Sequence, residues 1–161
     1  MNEISIDSAD WHLLDLLQQD ASRSNQALAE AAGMSPATCL RRVKRLSGLG
    51  LIQRQVALLD ADRLAPLLGH GLTAIAEVSL ERQDSERLDA FELRAGAEAA
   101  VQQCYRVSPG PDFVLILRCR DMPDYLALGR RLFHADANVR NVKAFFSIRR
   151  SKFDTALPLA R

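Results

Sequence analysis

Four cations crowd one short stretch of this sequence, Arg41, Arg42, Lys44 and Arg45, with Arg54 following, and no acidic residue lies between Ser35 and Arg54. A guanidinium is planar and permanently charged, so it can set two parallel hydrogen bonds on a guanine edge or a phosphate, whereas a lysine ammonium acts as a point charge. Ser35 followed by Pro36 reads as a helix start, a hydroxyl cap and then a proline at the first helical position. Wound at about 3.6 residues per turn, the helix gathers Cys39, Leu40, Val43 and Leu46 on one side. Ala37, Thr38, Arg41, Arg42 and Arg45 gather on the other, with Lys44 on the flank. The small Ala37 and Thr38 near the N-terminus permit close approach to base edges, which suits this helix to the major groove of duplex DNA. The expected contact set is Ser35, Ala37, Thr38, Arg41, Arg42, Lys44, Arg45 and Arg54. Within it, Arg41, Arg45 and Thr38 are expected on bases or adjacent phosphates, and Arg42, Lys44 and Arg54 on the backbone.

A solvated surface face is the competing reading of any charge run. Two features weigh against it. A helix over residues 24–33, capped by Ser24 and closed by a turn at Gly33, precedes the basic helix, as in a helix-turn-helix. The charges are also segregated along the chain: six acids (Glu3, Asp7, Asp10, Asp15, Asp20, Glu30) and one base (Arg23) precede Ser35, and five bases with no acid follow to Arg54. The overall net charge of +1 hides this contrast, and it is the local field that steers DNA association.

The elements that must position these residues follow from periodicity. Asp10 is expected to cap a first helix with Trp11, Leu13, Leu14, Leu16 and Leu17 at helical spacing up to Asp20. After the glycines at 48 and 50, residues 51–58 have the apolar content of a strand, and residues 60–71, with Pro66 and two glycines, read as a connecting segment. The second half changes period. Strands are expected at 72–80, 101–107, 112–119 and 139–149, and helices at 84–96 and 123–133. That order, βαββαβ, is the split-βαβ pattern of a ferredoxin-like sandwich, whose open sheet face needs a cover; self-association supplies one.

With 161 residues, the chain has room for one ordinary domain or two small ones. Cys39, Cys104 and Cys119 show no CxxC spacing, and His12, His70 and His134 stand far apart, so neither a disulfide framework nor a metal site is expected. Cys39 and Cys119 are expected to be buried thiols, and His70 and His134 solvated. The sequence lacks a signal-like start or an apolar run near the roughly 20 residues that cross a bilayer, so a cytoplasmic protein without a membrane partner is expected.

Taken together, these segments resemble the Lrp/AsnC (leucine-responsive, or feast/famine) family of bacterial and archaeal transcription factors. The likeness is carried by the Asp10–Asp20 run, by Leu28-Ala29-Glu30-Ala31-Ala32-Gly33-Met34-Ser35-Pro36, and by Cys39-Leu40-Arg41-Arg42-Val43-Lys44-Arg45-Leu46 with Gly50-Leu51-Ile52. Cys104-Tyr105-Arg106-Val107, Asp112-Phe113 and Thr155-Ala156-Leu157-Pro158-Leu159 complete it. The resemblance implies an α+β protein: an N-terminal winged helix-turn-helix over residues 1–60 including a linker strand, a linker at 61–71, and a C-terminal ferredoxin-like βαββαβ sandwich over 72–161 that senses an effector and oligomerises. It implies a homo-oligomer, a dimer assembling into an octamer as a tetramer of dimers, with an amino acid or other small effector bound near Ser108, Gly110, Asp112 and Ala144.

In the effector region the chain differs from the family pattern. Pro109 and Gly110 replace the usual glycine and acidic residue, and Ala144 and Phe145 replace hydroxyl side chains. Small polar amino acids are therefore expected to bind weakly. Asp112 has two readings, an ammonium contact or a turn carboxylate bonded to backbone N–H groups. The expected function is a sequence-specific DNA-binding regulator of amino-acid or related metabolic genes, without cofactor or catalytic residues. Two alternatives are a siroheme-decarboxylase-like enzyme, which would carry histidine beside the turn occupied here by Ser108-Pro109-Gly110-Pro111, and a DNA-independent metabolite-sensing oligomer.

Overall fold

The computed structural model describes residues 5–69 and 71–159, so the expectation for His70 lies outside the described residues. The chain forms two compact units, Met1–Leu58 with the segment beyond Ser151, and Leu59–Ser151.

The first unit, the head, holds three helices: α1 (Ser8–Gln19), α2 (Asn25–Ala31) and α3 (Pro36–Gly48). The cap of α1 is Asp7 rather than Asp10. Its carboxylate accepts the Asp10 N–H at 2.9 Å while Asp10 accepts the Asp7 N–H at 3.4 Å, a reciprocal box that satisfies two donors the helix end leaves unpaired. Ser24 caps α2 and Ser35 caps α3, with Pro36 opening the latter, as expected. Gly33, at φ +66°, makes the left-handed turn between them that a side chain would strain. Leu13, Leu28, Ala29, Cys39 and Leu46 are buried together, with Val43, Met34 and Ile52 packed against them. Leu40, expected on this face, is 45% exposed, because it lies about 100° around the helix from Cys39.

Residues 51–58 join no sheet among the described residues, so the expected linker strand is not formed within the chain. A ladder needs a second edge, and among the described residues the head has no strand and hence no β-hairpin wing. Residues 152–159 pack with the head. Their anchor is the Gln18 amide, which donates to the Leu157 carbonyl at 3.0 Å and accepts the Leu157 N–H at 2.9 Å.

The second unit opens with α4 (Ala61–Leu68), where only a connecting segment was expected. The Asp60 carboxylate accepts the Asp62 and Arg63 N–H groups, and Gly69 provides the left-handed exit, so the two-turn helix survives the one hydrogen bond that Pro66 removes. The expected βαββαβ order follows: β1 (Leu72–Leu80), α5 (Ser85–Ala97), β2 (Val101–Arg106), β3 (Phe113–Cys119), α6 (Met122–Gly129) continuing into a π turn at Arg130–His134, and β4 (Val139–Phe146). The sheet is antiparallel throughout, in the order β2-β3-β1-β4.

Alternation places Ala74, Ala76, Val78 and Leu80 of β1 and Phe113, Leu115, Leu117 and Cys119 of β3 on one face, buried with Phe91, Ala95, Leu128, Leu132 and Phe133 of the helical layer. On the other face Ile75 stands directly opposite Phe145, and Tyr105 opposite Val114. Ile75, Tyr105 and Phe145 remain exposed there. No helix among the described residues is long and apolar enough to cross a membrane.

Candidate nucleic-acid interface

The start of α3 is built by local bonds. The Ser35 hydroxyl accepts the Thr38 N–H at 3.3 Å and donates to the Thr38 Oγ1 at 2.9 Å, so the two hydroxyls hold each other at the helix tip. Asn25 of α2 donates its side-chain amide to the Pro36 carbonyl at 2.9 Å, fixing the first turn of α3 against the preceding helix. Ala37, Arg41 and Lys44, spaced i, i+4, i+7, share one exposed stripe of α3. Arg41, Lys44 and Arg54 make no ion pair or side-chain hydrogen bond among the described residues.

Arg42 and Arg45 have internal partners. They occupy the flank of α3 that meets the start of α1, and both bind Asp10. Arg42 Nη1 donates to Asp10 Oδ1 at 2.8 Å and to both Asp7 oxygens at 2.8 and 3.0 Å. Arg45 Nη1 donates to Asp10 Oδ2 at 2.8 Å, and its Nη2 donates to the Ser5 carbonyl. The Asp10 side chain is 1% exposed and that of Arg42 26%. Burial pushes the Asp10 carboxyl upward, but the hydrogen bonds from Arg42, Arg45 and the Asp7 N–H outweigh it and hold the group below the ordinary aspartate range. Two carboxylates thus neutralise two guanidiniums, and the uncompensated charge of α3 is that of Arg41 and Lys44. The acids at 7 and 10 were visible in the sequence as part of the acidic segment, three apart and ahead of the basic helix, but not as partners of it.

In the second unit the expected effector residues divide. A shallow cavity of about 460 Å³ is lined by Gln83, Leu88, Arg106, Val107, Ser108 and Asp112. Gly110 and Ala144 are not part of it. Ala144 lies on β4 opposite Ala76, at the far edge of the sheet from β2 and the turn that follows it, so strand order separates it from Ser108 within one chain. Phe145 points to the opposite face from Ala144, with the Lys143 ammonium 4.8 Å from its ring centroid. The Asp112 carboxylate accepts the Leu80 N–H at 2.6 Å, and its backbone joins Val78 and Val107, which is the turn-carboxylate reading. Arg106 is held by Asp89 at 2.6 Å and Glu92 at 2.9 Å. Cys39 and Cys119 are buried as expected, and burial pushes both thiols upward, away from the reactive thiolate.

Comparison with known proteins agrees with this geometry. Residues 6–47 match the AsnC-type helix-turn-helix domain, and residues 73–157 match the Lrp/AsnC ligand binding domain. The chain is 32% identical over 154 residues to the DNA-binding transcriptional activator DecR of Escherichia coli K12, covering 96% of this chain and 99% of the relative. An AsnC family transcriptional regulator from Agrobacterium tumefaciens superposes with a TM-score of 0.85 at 28% identity, covering 95% of this chain and 97% of the other. A transcriptional regulator from Neisseria meningitidis, solved in complex with L-methionine, superposes with a TM-score of 0.84 at 25% identity, covering 96% and 97%. A capped recognition helix with a free cationic stripe, joined to a four-stranded antiparallel sheet unit and matched over nearly the whole length, makes this chain a member of the Lrp/AsnC family of DNA-binding transcriptional regulators.

Proposed function

We propose that the protein controls amino-acid or related metabolic genes by docking α3 in the major groove, with Ala37, Thr38 and Arg41 toward base edges and Ser35, Lys44 and Arg54 toward the phosphate backbone. The observation that carries this reading is the exposed stripe of Ala37, Arg41 and Lys44, whose cations have no internal partner among the described residues. The test is binding to the gene's own upstream duplex across a salt series. Arg41→Ala should cost roughly 1–3 kcal/mol and relax sequence preference, and Lys44→Ala should weaken all sequences alike. Absence of salt-sensitive binding by the unaltered protein to any genomic fragment would overturn the reading.

The working form is a homo-oligomer in which dimers close over the sheet face bearing Ile75, Tyr105 and Phe145 and then assemble toward an octamer. Exposed Leu93 and Leu126 on the outer helices supply further apolar surface for that second step. The effector is a small molecule with an apolar part, bound beside the turn that carries Ser108 and Asp112. Asp112 and Arg106 already satisfy internal partners, while Leu88 and Val107 line the cavity, so a small polar zwitterion finds little to pair its charges there. The methionine held by the Neisseria relative has this chemistry. Calorimetry should show methionine or leucine binding more tightly than glycine or asparagine, with the polar pair no tighter than about millimolar; micromolar asparagine would overturn it.

A further inference from the structure

We infer that Asp10 is a specificity-determining residue of the head: by holding Arg42 and Arg45 it withholds two of the four cations of α3 from the DNA backbone. This rests on the DNA-docking role proposed above for α3.

The geometry is that of an internal anion site. Each Asp10 oxygen accepts one guanidinium at 2.8 Å, Oδ1 from Arg42 and Oδ2 from Arg45, and Asp7 adds a second carboxylate to Arg42 at 2.8 Å. Asp10 is fully shielded from water, whereas its arginines reach the surface of the same helix that carries Arg41 and Lys44. A carboxylate buried between two guanidiniums occupies the donors that a phosphate would otherwise take. A long cation free to swing toward either strand meets phosphates whatever the sequence, which raises affinity for every duplex equally. Restraining two such side chains leaves the groove to Ala37, Thr38 and Arg41, and lowers the sequence-independent share of binding. A purely structural role for Asp10, tying α1 to α3, would alter stability without altering how binding depends on salt.

The full-length protein supplies the test, by fluorescence anisotropy on its own upstream duplex and on a random-sequence duplex. Asp10→Asn, nearly isosteric and neutral, should tighten random-duplex binding. It should also steepen the dependence of log K on log salt by about 0.9 per head, the share of Arg45, because Asp7 still holds Arg42. The ratio of specific to random affinity should fall several-fold. A folded Asp10→Asn protein with unchanged slope and ratio would overturn the inference.

Arg42→Gln keeps Asp10 paired with Arg45 and guards against a misfolded Asn variant. It should leave the slope of the unaltered protein in place, whereas a loss of about 0.9 per head would put Arg42 on a phosphate and overturn the inference. Lys44→Gln, by contrast, should lower the slope by about 0.9 per head, and failure there overturns the docking proposal instead. The clamp is also readable without DNA. Side-chain nitrogen resonances of Arg42 and Arg45 in labelled free protein should show slowed guanidinium rotation, which Asp10→Asn relaxes at Arg45, and freely rotating groups in the unaltered protein would defeat the clamp while leaving DNA docking intact.

Discussion

Among the described residues the head buries five apolar side chains, Leu13, Leu28, Ala29, Cys39 and Leu46, and adds to them a neutralised cluster of two aspartates and two arginines. The sheet unit buries thirteen residues on one face, from Ala74 to Phe133, yet leaves the other face with Ile75, Tyr105 and Phe145 in solvent. A small core lends the head little apolar stabilisation, so its helix arrangement leans on polar geometry that pH and salt can reach. A large one-sided core makes the sheet unit robust in itself and leaves apolar side chains bare on its other face. The charge left unpaired in one region and the apolar surface left bare in the other are what each offers to a partner.

Phe113→Ala should break the comparison most severely. Phe113 is fully buried and lies 4.7 Å from Phe91 between ring centroids, so its truncation should cost about 3–5 kcal/mol. Chemical denaturation should show the loss in the sheet unit, with the fluorescence of Trp11, the single tryptophan and a residue of α1, unmoved. Phe145→Asp comes next. At 43% exposure its replacement should barely change folding, but a charged group at a buried aromatic anchor should weaken association by about 2 kcal/mol or more. Light scattering should record a lower mass, and an unchanged oligomer would place the contact elsewhere.

Acid should sharpen the contrast by a smaller margin. A carboxyl held below its ordinary value, about 4, contributes stability that is present above that pH and is lost as pH falls through the lowered value. Trp11 fluorescence should therefore report loosening of the head below about pH 4, and Asp10→Asn should flatten that dependence. The smallest effect is expected at Lys44, exposed and unpaired among the described residues. Lys44→Ala should shift stability by no more than about 0.5 kcal/mol while still weakening binding to every duplex; a larger thermal shift would reveal a structural role.

What was legible in the sequence was local. Ser24 and Ser35 mark helix starts through bonds to residues three positions away, Pro36 suits the first helical position, and the β1 and β3 alternation follows from a period of two. Asp7 displaced Asp10 as the cap because Asp10 is engaged by residues 32 and 35 positions away, a relation that no local pattern reports. The same holds for Gln18 and Leu157, 139 positions apart. The segment at 51–58 failed as a strand because pairing belongs to two segments, and apolar content in one does not supply the other. At α4 the proline and glycines argued for a break, and the Asp60 cap, visible in the sequence, outweighed them. Ala144 and Ser108 stand apart within one chain because neighbours across a sheet follow strand order and not the order of motifs along the chain.

The Gln18 amide carries a consequence for how the protein is made. Its partner at Leu157 is translated only after the whole of the sheet unit. Domains ordinarily fold as units in the order in which they leave the ribosome, but here the head, which emerges before the sheet unit, waits for a piece that comes after it. A ribosome-bound chain halted at Ser151 would carry all three helices of the head and still lack the peptide group that Gln18 holds. The head is thus completed after the sheet unit although it is begun before it, and a chain cut short before Leu157 leaves α1 missing one of its ties.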